Sequence, residues 1–123
     1  MHFIDTHAHV YAEELTSDLD LIMKNAVAVG VNKIIMPAID STTLEAMLKV
    51  EQQFPEHCIA MMGLHPCYVK ENYKEELKLV EDWIGKRKFI AIGEIGLDFY
   101  WDKTFTKEQH IVFETQMHWA LDL

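Results

Sequence analysis

Four polar side chains stand where apolar runs end. His7 and His9 follow Phe3-Ile4, and His65 follows the run from Cys58 to Leu64. Glu94 lies in Phe89-Ile90-Ala91-Ile92-Gly93-Glu94-Ile95-Gly96. In an extended chain alternate residues share a face, so Asp5, His7 and His9 point one way, opposite Ile4, Thr6 and Ala8. Two imidazoles so spaced at a strand end can hold one metal ion from the same side. A His-x-His pair alone also has a plainer reading as surface strand histidines. Glu94 adds weight because it shares its face with Ile90 and Ile92. An ionised carboxylate there is costly unless it is paired or bound to metal. The competing partner is a cation, and Arg87, the chain's only arginine, lies in the basic turn Lys86-Arg87-Lys88.

The remaining candidates carry less. His65 precedes Pro66, which forces an extended residue, so a turn histidine competes with a site role. Asp40 is expected to cap the following helix. Cys67 lies close enough to His65 to share a metal, but it reads first as a small packed thiol. His2, His57, His110 and His118 have no ligand spacing. Phe99-Tyr100-Trp101 is either a platform on which bases stack or a hydrophobic plug beneath the next helix. The seven methionines read as core filler.

The elements that must position these groups alternate. Strands are expected at Phe3-Ile4, Lys33 to Met36, Cys58 to Leu64 and Phe89 to Ile95, the last apolar on both faces as in a buried parallel strand. Leu19, Ile22, Met23, Ala26 and Val29 form a helical stripe, with Gly30 as a left-handed cap. A second helix carries Leu44, Met47 and Leu48, with Thr42 and Glu45 at capping-box spacing. A third runs from Tyr73 to Ile84, with Asn72 and Glu75 as a cap pair and Gly85 as a stop. The last starts near Thr106, with Gln109 three residues on, and is expected to bury Phe113, Met117, Ala120 and Leu121.

Strands separated by helices make a parallel α/β sheet with right-handed crossovers. An open doubly wound sheet and part of a TIM-type (βα)₈ barrel both fit. His7, His9, His65 and Glu94 would then gather at the carboxyl edge of the strands, where such folds place their sites. A complete barrel takes about 250 residues, and this chain has 123. Its last residues remain in helical register, so the expectation is a single domain over 1–123 that forms a (βα)₄ half.

Eleven basic against twenty acidic residues leave a net charge of −9. That excludes a module holding nucleic acid by counterion release alone, but not a site that meets phosphate through bound cations. The hydrophobic and charged fractions are those of a globular domain, not a disordered chain. No apolar run is long enough to span a membrane. Cys58 and Cys67 lack zinc-ribbon spacing and read as reduced thiols. With no signal-peptide pattern at Met1-His2-Phe3, the expected location is cytoplasmic.

Together these residues resemble the TatD family of metal-dependent hydrolases, also described as TatD-type deoxyribonucleases. The resemblance lies in Phe3-Ile4-Asp5-Thr6-His7-Ala8-His9, Gly63-Leu64-His65-Pro66 and Gly93-Glu94-Ile95-Gly96-Leu97-Asp98-Phe99-Tyr100, with Gln109, Phe113 and Gln116 in the last helix. It covers the whole chain in order, and the glutamate motif is its most specific part. It implies a (βα)₈ barrel with one or two divalent ions, Mg²⁺, Mn²⁺ or Zn²⁺, at its mouth. His7 and His9 would bind the first ion, Glu94 would bridge the two, and His65 would lie near the bound phosphate. Catalysis would then rest on Glu94 and His65, with Asp98 and Tyr100 in the loop that meets the substrate.

The implied substrate is DNA, single-stranded or at its 3′ ends, cleaved by two-metal phosphodiester hydrolysis. The family's later ligands, two histidines and an aspartate, have no counterpart before Leu123. A second reading is therefore a truncated, non-catalytic module that binds metal or associates with itself, two halves completing one barrel. A third is hydrolysis of an ester or amide, towards which the acidic charge tilts.

Overall fold

The structure is a computed structural model that describes residues 1–123. Three parallel strands, β1 (Phe3–Asp5), β2 (Val31–Met36) and β3 (Cys58–Ala60), lie side by side in sequence order. Four helices connect and follow them: α1 (Leu19–Ala28), α2 (Leu44–Gln53), α3 (Tyr73–Lys86) and α4 (Thr106–Asp122). Short 3₁₀ turns occupy Glu13–Asp18 and Pro66–Tyr68. None of the helices is long and apolar enough to cross a membrane.

The expected fourth strand is present only as a trace. A single parallel bridge joins Met62 to Ile92, flanked by hydrogen bonds from Met62 N–H to Ala91 O and from Gly93 N–H to Met62 O. The ladder does not extend beyond that bridge, and Ile90 is 57% exposed. The expectation of a strand buried on both faces is corrected accordingly. β3 is likewise shorter than the run that suggested it.

The core packs between sheet and helices. Ile34, Met36, Cys58 and Ala60 from the strands meet Met23, Met47, Val50 and Val80 from the helices. Gly30 ends the first crossover at φ 94°, the left-handed conformation expected of it, and a Cβ there would come within 2.7 Å of the Met1 carbonyl oxygen. Val29, placed on the apolar stripe by spacing, is exposed instead.

Several caps differ from expectation. Thr42 and Glu45 form no capping box, because Thr42 donates through both its N–H and hydroxyl to Asp40 Oδ1. Asn72 is the residue before α3, but its amide donates to Glu76 rather than capping the helix. Gly85 remains helical, and α3 stops after Lys86, where Arg87 turns extended.

α4 begins at Thr106 as the sequence suggests but turns a different face inward. Its buried residues are Gln109, Val112 and Gln116, whereas Met117, Ala120 and Leu121 are exposed and Phe113 is half-buried. The physical reason is hydrogen bonding. Gln116 accepts from Leu64 N–H at 2.7 Å and donates to Leu64 O at 3.1 Å. Gln109 does the same for the backbone of Asp98, at 2.9 Å in each direction. Two loops whose backbone groups lack strand partners need amides beside them, not methyl groups.

Candidate metal centre

Each site residue stands just beyond a strand or extended segment. Ala8 N–H donates to Ile35 O, which carries the β1 direction forward through His7 and His9. His65 N–H donates to Ile39 O, and Glu94 N–H to Ala38 O, while Ala38 N–H returns a bond to Gly93 O. The Gly93–Glu94 peptide is cis. Gly63 makes the close approach possible: a Cβ on it would sit 2.9 Å from the Gly93 carbonyl carbon. Two backbones can therefore touch, and the residues next to them, His65 and Glu94, are brought together.

Glu94 is the point on which three imidazoles converge. His7 Nε2 lies 3.0 Å and His9 Nε2 3.4 Å from Glu94 Oε2, and His65 Nε2 lies 3.2 Å from Oε1. Ligand atoms of His7, His9 and Glu94 all lie within 4.8 Å of one another. Glu94 Oε2 is buried and finds no hydrogen-bond donor in the chain. An orphaned carboxylate oxygen facing two imidazole nitrogens suits a divalent cation, and this mixed nitrogen and oxygen set suits Zn²⁺ or Mn²⁺ better than Mg²⁺. The alternative partner is accounted for elsewhere, because Arg87 pairs with Glu51 at 2.6 Å.

The three histidines are held differently. Burial lowers the His9 pKa, with the Glu94 charge working against that shift and the neighbouring His7 adding to it. His9 Nδ1 meets the Tyr11 hydroxyl at 2.8 Å, and Tyr11 donates to the Pro37 carbonyl. Burial pushes the Tyr11 hydroxyl pKa up, and the charge of Glu94 adds to the effect. His65 Nδ1 accepts the Cys67 N–H at 3.0 Å, so its neutral ring carries hydrogen on Nε2, the atom facing Glu94. His7 is the most exposed of the three, and its backbone N–H donates to Asp5 Oδ1 at 3.0 Å. Asp5 thus supports the loop and is not among the converging ligand atoms.

The next loop has its own order. Asp98 Oδ1 accepts from Tyr100 N–H at 2.9 Å, and that bond, with the Cys67 thiol, lowers the Asp98 pKa. Burial, with Asp98 next, raises the Cys67 thiol. Cys67 lies outside the converging ligand set. Tyr100 and Trp101 are 82% and 79% exposed, edge to face at 4.8 Å, which overturns the plug reading for these two rings. Only Phe99 is partly covered, beside His110. Tyr11 escaped the sequence reading, although it continues the alternation His7, His9, Tyr11 that would have found it.

Parallel βα units with imidazole and carboxylate groups gathered at the carboxyl ends of the strands define the amino-terminal half of a TIM-type barrel. Over residues 4–123 the chain matches the family described as TatD related DNase, and it belongs to that family. It is 31% identical over 97% of its length to the uncharacterized metal-dependent hydrolase YabD of Bacillus subtilis, covering 46% of that protein. It is 24% identical, again over 97% of its length, to the 3′-5′ ssDNA/RNA exonuclease TatD of Erwinia tasmaniensis, covering 46% of it. Among solved structures, the TatD homolog YjjV of Escherichia coli superposes with a TM-score of 0.86 at 29% identity, over 96% of this chain and 46% of that one. The chain spans about half the length of the curated relatives it matches.

Proposed function

We propose that residues 1–123 form one unit, half of a divalent-metal hydrolase barrel that cleaves phosphodiester bonds in single-stranded nucleic acid. The observation that supports this most is the convergence of His7, His9 and His65 on Glu94, with one carboxylate oxygen left without a donor. His7, His9 and Glu94 would hold a first ion, and Glu94 would also serve a second. A bound ion supplies Lewis-acid stabilisation of charge developing on the scissile phosphate. His65, with its Nε2–H turned to Glu94 Oε1, holds that carboxylate in place and would lie near the bound phosphate. Tyr100 and Trp101, on the turn that Asp98 closes and open to solvent, stack bases at the mouth. The name of the Erwinia relative supports the nucleic-acid substrate.

The test is Mn²⁺-dependent release of nucleotides from single-stranded DNA by this chain, with Mn²⁺ binding followed in parallel and Glu94→Gln alongside. Release that requires both the ion and Glu94 is the expected result. Release that survives Glu94→Gln, or the absence of any release from a chain saturated with Mn²⁺, would overturn hydrolysis by this unit.

A further inference from the structure

Hydrogen bonding around His9 can run in only one direction. Pro37 offers a carbonyl oxygen and no donor, so its contact with the Tyr11 hydroxyl places the phenol hydrogen between them. A hydroxyl has one hydrogen. Once that is given to Pro37, the Tyr11 oxygen can meet His9 Nδ1 at 2.8 Å only as an acceptor. The hydrogen of the second contact therefore belongs to the imidazole. A neutral ring with hydrogen on Nδ1 has a bare Nε2, and Nε2 is the atom that faces Glu94.

We propose that Tyr11 is a positioning residue that locks His9 in the Nδ1–H tautomer, so that the Nε2 lone pair is aimed at the cation position before any cation arrives. The purpose of the lock rests on the metal reading above; the direction of the hydrogen bonds does not. Its anchor is firm, because Tyr11 is 2% exposed and Pro37 is fully buried at the end of β2. Metal-binding histidines commonly give their other N–H to a carboxylate, a carbonyl or water, and a buried phenol takes that place here. His65 supplies the contrast within the same site. Its Nδ1 accepts the Cys67 N–H, which sets the opposite tautomer. One carboxylate is thus met by a bare nitrogen on one side and by an N–H on the other.

The experiment is proton–nitrogen-15 correlation across the imidazole rings of the metal-free chain at about pH 8, where ordinary imidazoles are neutral. His9 should show hydrogen on Nδ1 and His65 hydrogen on Nε2. In Tyr11→Phe the acceptor is gone: His9 should shift towards the Nε2–H form and Mn²⁺ affinity should fall about 10-fold or more, with His65 unchanged. A wild-type His9 with hydrogen on Nε2 would overturn the proposal even if the variant fails to fold. So would a folded Tyr11→Phe that keeps Nδ1–H, since Tyr11 would then merely satisfy the Pro37 carbonyl. The expected tautomers in a chain that binds no Mn²⁺ would sink the metal reading while leaving the hydrogen-bond assignment in place.

Discussion

Glu51 and Glu94 are both acids beside the sheet, and they keep different company. Glu51, near the end of α2, accepts two guanidinium N–H groups of Arg87, at 2.6 and 3.2 Å, and the Ala60 N–H at 2.8 Å. Burial pushes its carboxyl up, but Arg87 and the Ala60 N–H together hold it below the ordinary 4.5. Glu94 meets imidazoles alone, and one of its oxygens has no donor. The first carboxylate is completed by the chain; the second is not. A buried acid speaks for function only when its partners leave capacity over, and the helix-to-strand edge of this fold shows what a saturated one looks like.

The sharpest way to break that contrast is to remove the Glu94 charge. Glu94→Gln should weaken Mn²⁺ binding by more than the roughly 10–100-fold typical of groups that only orient a ligand. Its metal-free melting should change by no more than about 0.5 kcal/mol, read by Mn²⁺ electron paramagnetic resonance and thermal melting. Lost stability with unchanged affinity would make Glu94 a second Glu51. Next in size, His7→Ala should lower affinity about 10-fold or more, while His57→Ala, whose ring is engaged by the Asn32 carbonyl, should leave it unchanged; equal effects would remove His7 from the ligand set.

Glu51→Gln should do the reverse, costing about 1–3 kcal/mol of stability with Mn²⁺ affinity intact. Because the folded pKa of Glu51 is depressed, its contribution is complete above the ordinary value of 4.5 and lost as pH falls through the lower folded value. Melting of the wild type should therefore decline on acidification below about pH 5 more steeply than that of the variant, and parallel curves would count against the pair. Smallest in structural effect, Tyr100→Ala and Trp101→Ala should leave melting and metal affinity alone while weakening single-stranded DNA binding by about 1–3 kcal/mol for each base that stacks. Unchanged DNA binding in both variants would leave the exposed rings without that role.

Much of this arrangement was legible in the chain. The alternation of short apolar runs with helical stripes announces parallel βα units, and polar groups at the ends of those runs mark the site. The starts of α3 at Tyr73 and α4 at Thr106 follow from periodicity. What escaped depends on partners distant in sequence. The run from Phe89 to Ile95 reads as a buried strand, yet only Ile92 enters a bridge and Ile90 lies exposed. Gln109 reads as a partner to Thr106 at the helix start and Gln116 as part of the family pattern, but each serves a loop backbone that α4 approaches. Thr42 turned to Asp40 because a local oxygen competes well with a helix cap. The role of Tyr11 depends on Pro37, across the sheet.

The converging ligands come from the first and last extended segments of the fold. In a flat parallel sheet the first and fourth positions lie about 14 Å apart, yet His7 and Glu94 approach to 3.0 Å. An ion held between them would act as a clasp across the curl of the sheet, joining the exposed amino-terminal edge to the unit that follows α3. Binding and folding would then share one free energy, with about 2.7 kcal/mol added at a hundredfold excess of free ion over Kd. Amide protons of β1, which pairs with β2 alone, should feel that clasp most, exchanging with solvent more slowly once the ion is in place.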